Sequence, residues 1–539
     1  MRRWNGWGDD SVEQKLSPEA LFFLAEQIGE GKPVPDADLQ QVCRRVPDSR
    51  LAPHDLISTD PAERIRHSLG QSLPDWLQLR YGRIERVPDG VAFPENAEQV
   101  RELLSYATRH QVIVIPYGGG TSVAGHLTVP AATQPVLSIS IRRMRRMLHL
   151  ERESQLATFE AGVFGPDLEA QLRAQGYTLG HFPQSFEYST LGGWVVTRSS
   201  GQQSLRYGRI EQLFAGGRLE TPAGSWYLPA FPASAAGPDL RELVLGSEGR
   251  LGLLTEATIR VSRLPECEEF HGVFFPDWDS AQVAVRSMVQ EKFPLSMLRL
   301  SNPLETTTSL ALAGHAGLIG WLEKYLRWRG CGQQKCLLLL GASGNRATVR
   351  QTVRRAMKLV REQGGVTVGQ YMGKKWKQGR FQNVYLRNTL WQHGYAIDTV
   401  ETACNWTAVK QMIQAVEQAA TDALAEDDER IHAYTHLSHL YAQGASVYTT
   451  FVFRLSGDYA TDLARWKKMK HAVSQTIVMH GGTISHQHGV GSDHAPYLQA
   501  EKGAAGMAAL RQVFSTVDPQ GLMNPGKLLT APVSDGVIV

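Results

Sequence analysis

The sequence predicts an α+β (α/β) protein made of two mixed helix–sheet units, and three observations predict it. A run of four branched apolar residues at 112–115 leads into Pro116, Tyr117, Gly118, Gly119, Gly120, Thr121 and Ser122. Strand and helix patterns alternate around that bend, from residue 90 to 265. A second series of helix and strand patterns fills residues 266–480. Residues 1–89 then form an N-terminal helical region, and residues 481–539 a C-terminal segment.

In the first region, Ser17-Pro18 and Asp60-Pro61 each place a capping side chain before a proline suited to the first helical position. The first of these helices should stop at Gly29. The tryptophans of RWNGWG, residues 3–8, are expected to pack in the core. In the second region, residues 91–94 read as a strand edge. Asn96 opens a helix with Val100, Leu103, Leu104 and Ala107 on one face. Residues 112–115 read as a buried strand that Pro116 ends, since proline brings no N–H to a ladder. Strands follow at 136–141, 157–163 and 257–261, with a helix at 166–174 closed by Gly176.

In the third region, helices are expected at 278–290, 346–362, 406–425 and 459–479, and strands at 272–275, 336–340 and 448–453. A helix at 319–328 places Trp321, Tyr325 and Trp328 on one face. That face is expected to be core, with an interfacial membrane helix as the alternative. Lys374, Lys375, Lys377 and Arg380 are flanked by glycines and are expected in a mobile charged loop. The last region carries a helical stretch at 503–513.

Composition narrows the function. With 56 basic and 53 acidic residues the net charge is +3, so no global charge argues for nucleic acid. Five scattered cysteines form neither a disulfide framework nor a zinc pattern, which fits a reducing compartment. The N-terminus shows no secretory signal pattern and no run suits a membrane span, so a cytoplasmic location is expected, with peripheral membrane contact left open.

The bend at 116–122 carries the first chemistry. Three consecutive glycines remove every Cβ, so backbone N–H groups can converge on an anion, with Thr121 and Ser122 adding hydroxyls. A Walker loop would need a Gly-Lys-Ser/Thr ending, and a Rossmann turn would run into a helix. Neither is present.

Two further glycine-rich segments follow in order. One contains Pro183, Ser189, Thr190, Gly192, Gly193, Trp194, Gly201, Tyr207 and Gly208; the other contains Glu248, Gly249 and Gly252. The three together resemble the FAD-binding domain of the vanillyl-alcohol oxidase family, also called the PCMH type. RWNGWG, the segment 183–201 and SHQHGVG at 485–491 narrow the resemblance to alkylglycerone-phosphate synthases. The resemblance implies a two-part PCMH-type FAD-binding domain plus an α/β substrate-binding cap, with the tail returning to the flavin domain. It implies non-covalent FAD, with His126 not serving as an attachment point, and a homodimer. The implied reaction exchanges the acyl group of acyl-dihydroxyacetone phosphate for a fatty alcohol, without net redox change. The expected partner is a small-molecule or lipid substrate.

For the chemistry, His486 and His488 lie two apart and in an extended segment share one face. Imidazoles move protons near neutrality; a metal pair is the alternative, disfavoured for want of carboxylate-rich partners. The family carries three consecutive histidines here, whereas this chain has Gln487 in the middle. The resemblance gives Tyr441 a catalytic role, puts Arg299 near the reactive end of the flavin and matches Arg387 to a second arginine. An arginine can hold a phosphate or carboxylate bidentately. Glu401 also aligns, without a role. The competing function is a flavin oxidoreductase of a 2-hydroxy acid or glycerol phosphate. A non-catalytic flavin-bound or lipid-binding protein is a third.

Overall fold

The structure, a computed structural model, describes residues 1–313 and 316–529. Strands β1 (Ile57–Ser58), β2 (Gly90–Ala92), β3 (Ile113–Tyr117) and β4 (Val136–Ser140) form a sheet in the order β1-β2-β4-β3. Its β2-β4 and β3-β4 pairs are parallel. The strand does not stop at Pro116: it runs on to Tyr117, in register with Ser140. The Val114 N–H already points away from β4, to Leu522 O, so alternation turns the proline nitrogen to that same side.

Strands β5 (Met147–Glu151), β6 (Leu156–Glu160), β7 (Tyr177–Thr178), β8 (Phe214–Thr221), β9 (Gly224–Leu228), β10 (Leu253–Arg260) and β11 (Ser262–Arg263) complete the flavin half. Five of them form an antiparallel sheet β5-β6-β10-β8-β9, and β7 pairs with β11. The second half holds β12 (Cys267–Phe275), β13 (Met297–Ser301), β14 (Cys336–Gly344), β15 (Val366–Thr367), β16 (Tyr395–Asn405), β17 (His432–Leu437) and β18 (Gly444–Arg454). They make one antiparallel sheet in the order β15-β12-β14-β13-β17-β18-β16, so this half is α+β rather than a parallel α/β unit.

Helices cover both halves as their apolar spacing requires. Asn96 caps Ala97–His110, which buries Val100, Leu103, Leu104, Tyr106 and Ala107. Ser17 and Asp60 cap Pro18–Ile28 and Pro61–Arg66, as their Ser-Pro and Asp-Pro signals predict. The helices Trp278–Gln290, Arg346–Glu362, Val409–Ala425 and Tyr459–Met479 lie in the second half.

The first 89 residues are not a separate packing unit. Trp7, Leu73, Trp76 and Leu77 belong to the core of the second half, with Phe275, Leu338 and Phe451. Leu51 and Ile57 instead pack against the flavin core, which also takes Ile484, Met507 and Phe514 from the tail. Truncating a buried leucine such as Leu73 costs about 2–5 kcal/mol, so this segment welds the halves together.

Two further expectations fail. Residues 374–380 are not a loop: Tyr371–Gly379 is a helix, and Gly373 fits because a Cβ there would lie 2.3 Å from the Phe270 backbone. Lys377 bonds Glu268 at 2.6 Å, and Arg380 sits 4.4 Å over the Phe182 ring. On the helix Ala316–Trp328 the aromatic face is not core: Trp321 and Trp328 are each 79% exposed. That helix is apolar on two sides, and the sheet takes Ile319, Leu322 and Leu326, with Tyr325 at the margin. The helical stretch expected at 503–513 lies within a longer helix, Leu498–Val517, with a break at Gly503 (φ 69°). Among the described residues no helix is long and apolar enough to cross a membrane.

Candidate active site

The glycine bend lies in contact with the second glycine-rich segment. A Cβ on Gly119 would fall 1.8 Å from the Tyr188 carbonyl oxygen, and one on Gly118 2.6 Å from Thr190 Oγ1. Gly120 takes φ +68°, open to glycine at no steric cost. Thr190 caps the helix Leu191–Thr197 by accepting from the Gly193 N–H at 3.3 Å, and the Trp194 indole donates to Ser189 at 2.7 Å. Gly249 (φ +78°) closes the third side against the Pro116 ring.

These segments wall a cleft of about 300 Å³. Pro116, Gly118, Gly119, Gly120, Thr121 and Ser122 line it, as do Pro183, Ser189, Thr190, Gly193, Trp194, Glu248 and Gly249. His488 and Arg387 face it from the second half. Six expected cofactor residues do not line it and have packing contacts instead. Tyr117 donates to Arg66 O, Gly192 lies on Ala161, and Gly201 lies on the Phe182 N–H. Tyr207 covers Gly180, Gly208 ends a short helix, and Gly252 fits against Glu220 O.

Two lining residues are committed to protein. Ser122 Oγ bonds His126 Nδ1, and the buried Glu248 carboxylate accepts from the Val490 and Gly491 N–H groups at 2.5 and 2.8 Å. His126 Nε2 lies 3.0 Å from Glu248, so both ring nitrogens of His126 have neighbours within the protein. Asn524, which sequence reasoning missed, donates to His126 O and Glu248 O and ties the tail to the cleft. The cleft fits FAD: its glycine wall is bare backbone without a lysine, and contact with Tyr188 leaves no room for a Cβ behind Gly119.

The acid–base groups gather behind His488. His486, Gln487 and His488 do not alternate as an extended segment would, because all three turn to Glu401. His486 Nδ1 lies 3.3 Å and His488 Nε2 3.9 Å from its carboxylate, and Gln487 donates to it at 2.5 Å. Ser438 adds a bond at 2.7 Å. Burial opposes the charge on Glu401, yet His486, His439 and His488 hold the carboxyl well below the usual carboxylate range. Tyr441 Oη is 2.7 Å from His486 Nε2. Burial pushes the Tyr441 phenol up even with Arg209 beside it, and burial lowers His488.

Glu401, His439 and His486 could together reach one metal ion. Arg209 argues for a protonic network instead: its Nη1 lies 2.6 Å from His486 Nε2, and a guanidinium there repels a cation. Arg209 was missed because it sits in an unremarkable RYGRIE stretch.

The two predicted arginines differ. Arg299 pairs with buried Glu305 at 2.6 Å and touches His436 at 3.2 Å; it does not line the cleft. Tyr448, stacked on His436 at 4.7 Å, stands between. Arg387 does line the cleft, stacks 4.1 Å over Trp76 and donates to Gln71 O, and among the described residues has no carboxylate within 4.0 Å. Burial brings its pKa down to about 10, so it stays charged at neutral pH.

Comparison with known proteins agrees with this architecture. Residues 88–227 match the FAD binding domain family, and residues 264–528 match the C-terminal domain of FAD linked oxidases. Alkyldihydroxyacetonephosphate synthase of Trypanosoma brucei brucei is 31% identical over 99% of this chain and 93% of its own length. The same enzyme of Dictyostelium discoideum is 31% identical over 88% and 79%. A solved structure of alkyldihydroxyacetonephosphate synthase superposes with a TM-score of 0.83, covering 97% of this chain and 98% of its own at 27% identity.

Proposed function

The chain belongs to the alkyldihydroxyacetonephosphate synthase family, and from that premise we propose that this FAD-dependent enzyme exchanges the acyl group of acyl-dihydroxyacetone phosphate for a long-chain alcohol. One observation carries the reading: a carboxylate-free Arg387 and His488, the outer member of the Glu401 network, face the same glycine-walled cleft. Bound FAD supplies an electron-accepting ring to the carbon that changes its substituent. Arg387 holds the substrate phosphate, its planar fork fixed by Trp76 and Gln71. Tyr441 and His486 carry the proton leaving the carbon beside the ketone, with Glu401 holding the imidazoles in place. FAD is held without a covalent bond, which the engagement of both His126 nitrogens supports.

The lipid substrates suit a membrane-facing surface. Exposed Leu318, Trp321 and Trp328 stand among exposed Lys324 and Arg327 on one cap helix, with exposed Arg329 just past its end, a combination that favours peripheral attachment to a membrane.

The test supplies acyl-dihydroxyacetone phosphate and a labelled fatty alcohol to the purified flavoprotein. Ether product is expected, and Tyr441→Phe should slow it by about 10²–10⁴-fold with FAD retained. Absence of ether, with anaerobic bleaching of the flavin by a 2-hydroxy acid or glycerol phosphate, would move the assignment to an oxidoreductase.

A further inference from the structure

Arg209 lies in none of the glycine segments and does not line the cleft, yet it reaches the centre of the acid–base cluster. Its Nη1 is 3.0 Å from Tyr441 Oη and 2.6 Å from His486 Nε2, and its Nη2 donates to the His486 carbonyl at 3.0 Å. Glu211 anchors the other edge of the guanidinium, 2.7 Å from Nε. A guanidinium has donors and no lone pair to offer. The nitrogen it approaches must therefore present its own lone pair, which places the single imidazole proton of His486 on Nδ1, toward Glu401.

Two opposite charges thus compete for one ring. Glu401, 3.3 Å from Nδ1, favours the imidazolium, whereas Arg209 on Nε2 opposes it. The other groups facing the pair are His439, stacked on His486 at 5.0 Å, and His488 beyond Glu401. Burial pushes His439 down to about 3, so it adds no charge at neutral pH.

We propose that Arg209 is a positioning residue that fixes His486 as its Nδ1–H tautomer, so that the Nε2 lone pair faces both the guanidinium and the Tyr441 hydroxyl. The proton passes from Tyr441 Oη to Nε2 along the 2.7 Å contact while the Arg209 Nη1–H that met Nε2 turns to the phenolate oxygen 3.0 Å away, and it returns by the same route. Arg209 stabilises the phenolate left behind, so charge is conserved and no other reactant is needed. This rests on the proton-transfer role given to Tyr441 and His486 above.

The experiment uses the FAD-loaded full chain labelled with ¹⁵N-histidine, and identifies His486 as the signal missing in His486→Asn. In the wild type, His486 should read as neutral Nδ1–H at pH 7. In Arg209→Gln the signal should move toward the doubly protonated ring at the same pH, because Glu401 then acts unopposed. Arg209→Lys, which restores the cation, should return it toward the wild-type value. Turnover in Arg209→Gln should fall through kcat, with KM little changed. An unaltered His486 ring signal in folded, flavin-loaded Arg209→Gln overturns the proposal, and so does an Nε2–H tautomer in the wild type. If Arg209→Gln fails to fold, Arg209→Lys decides between the same outcomes through the His486 tautomer. Because the NMR signal needs no turnover, failure of the synthase assignment would leave this result readable and is distinguished by it.

Discussion

Replacing Gly119 by alanine probes the cofactor loop directly. The new Cβ would fall 1.8 Å from Tyr188 O, 2.8 Å from Tyr188 C and 2.9 Å from Ser189 Cα, all main-chain atoms that cannot swing aside like a side chain. A carbon rests about 3.3 Å from a carbonyl oxygen at closest, so bend and neighbour must part by about 1.5 Å. Movement on that scale spoils the convergence of the N–H groups around the cleft. Overpacking of this kind costs about 1–3 kcal/mol. Taken from cofactor binding, the middle of that range weakens FAD by about 30-fold. Gly320→Ala is the control, because a Cβ there would meet nothing within 4 Å and the residue does not line the cleft. Apoprotein titrated with FAD, followed by flavin fluorescence quenching, measures both variants, and circular dichroism checks their folding. A folded Gly119→Ala protein that binds FAD as tightly as wild type would refute the assignment of this bend to the cofactor.

Arg387→Gln should raise KM for the phosphate-bearing substrate by about 10-fold or more while FAD binding stays intact; steady-state kinetics and flavin content together check it. Acid should weaken the fold in part through its buried histidines. Burial lowers His181 and His494 each to about 3, so each favours the folded state fully above its unfolded value near 6.5 and progressively less as pH falls toward 3. Each then removes about 1.4 kcal/mol per pH unit across that window, while Glu417 and Asp493, both raised to about 7 by burial, gain stability as they protonate there; thermal melts from pH 7.5 to 5 isolate the histidine contribution as a smaller loss of midpoint in His494→Asn than in wild type. Trp321→Ser combined with Trp328→Ser should reduce sedimentation with anionic phospholipid vesicles without changing the melting temperature, since both rings are exposed.

What could be read from the chain divides by distance along it. The glycine bend, the Ser17, Asp60 and Asn96 caps and the main helices are local patterns, and sequence spacing is enough to find them. Glu401 had no legible role because its significance comes from Gln487 and Ser438, brought to it by loops distant in the chain. Arg209 acts on Tyr441 and His486, residues more than two hundred positions later in the chain, and no local pattern announces such a contact. Glu248 has a glycine-rich setting that suggests a ligand, yet the amides of Val490 and Gly491 take its carboxylate. The helix Ala316–Trp328 offered two apolar sides, and only the sheet beneath it decides which one is covered.

The cleft takes Trp7 from one end of the described chain and Asn524 from the other. Trp7 is fixed there by two hydrogen bonds between its backbone and Asn388. Synthesis delivers these walls roughly five hundred residues apart, at about 5–20 residues per second. A nascent chain can therefore fold its glycine bend long before it can enclose a nucleotide. Loading of the flavin is then a late event in the life of the polypeptide.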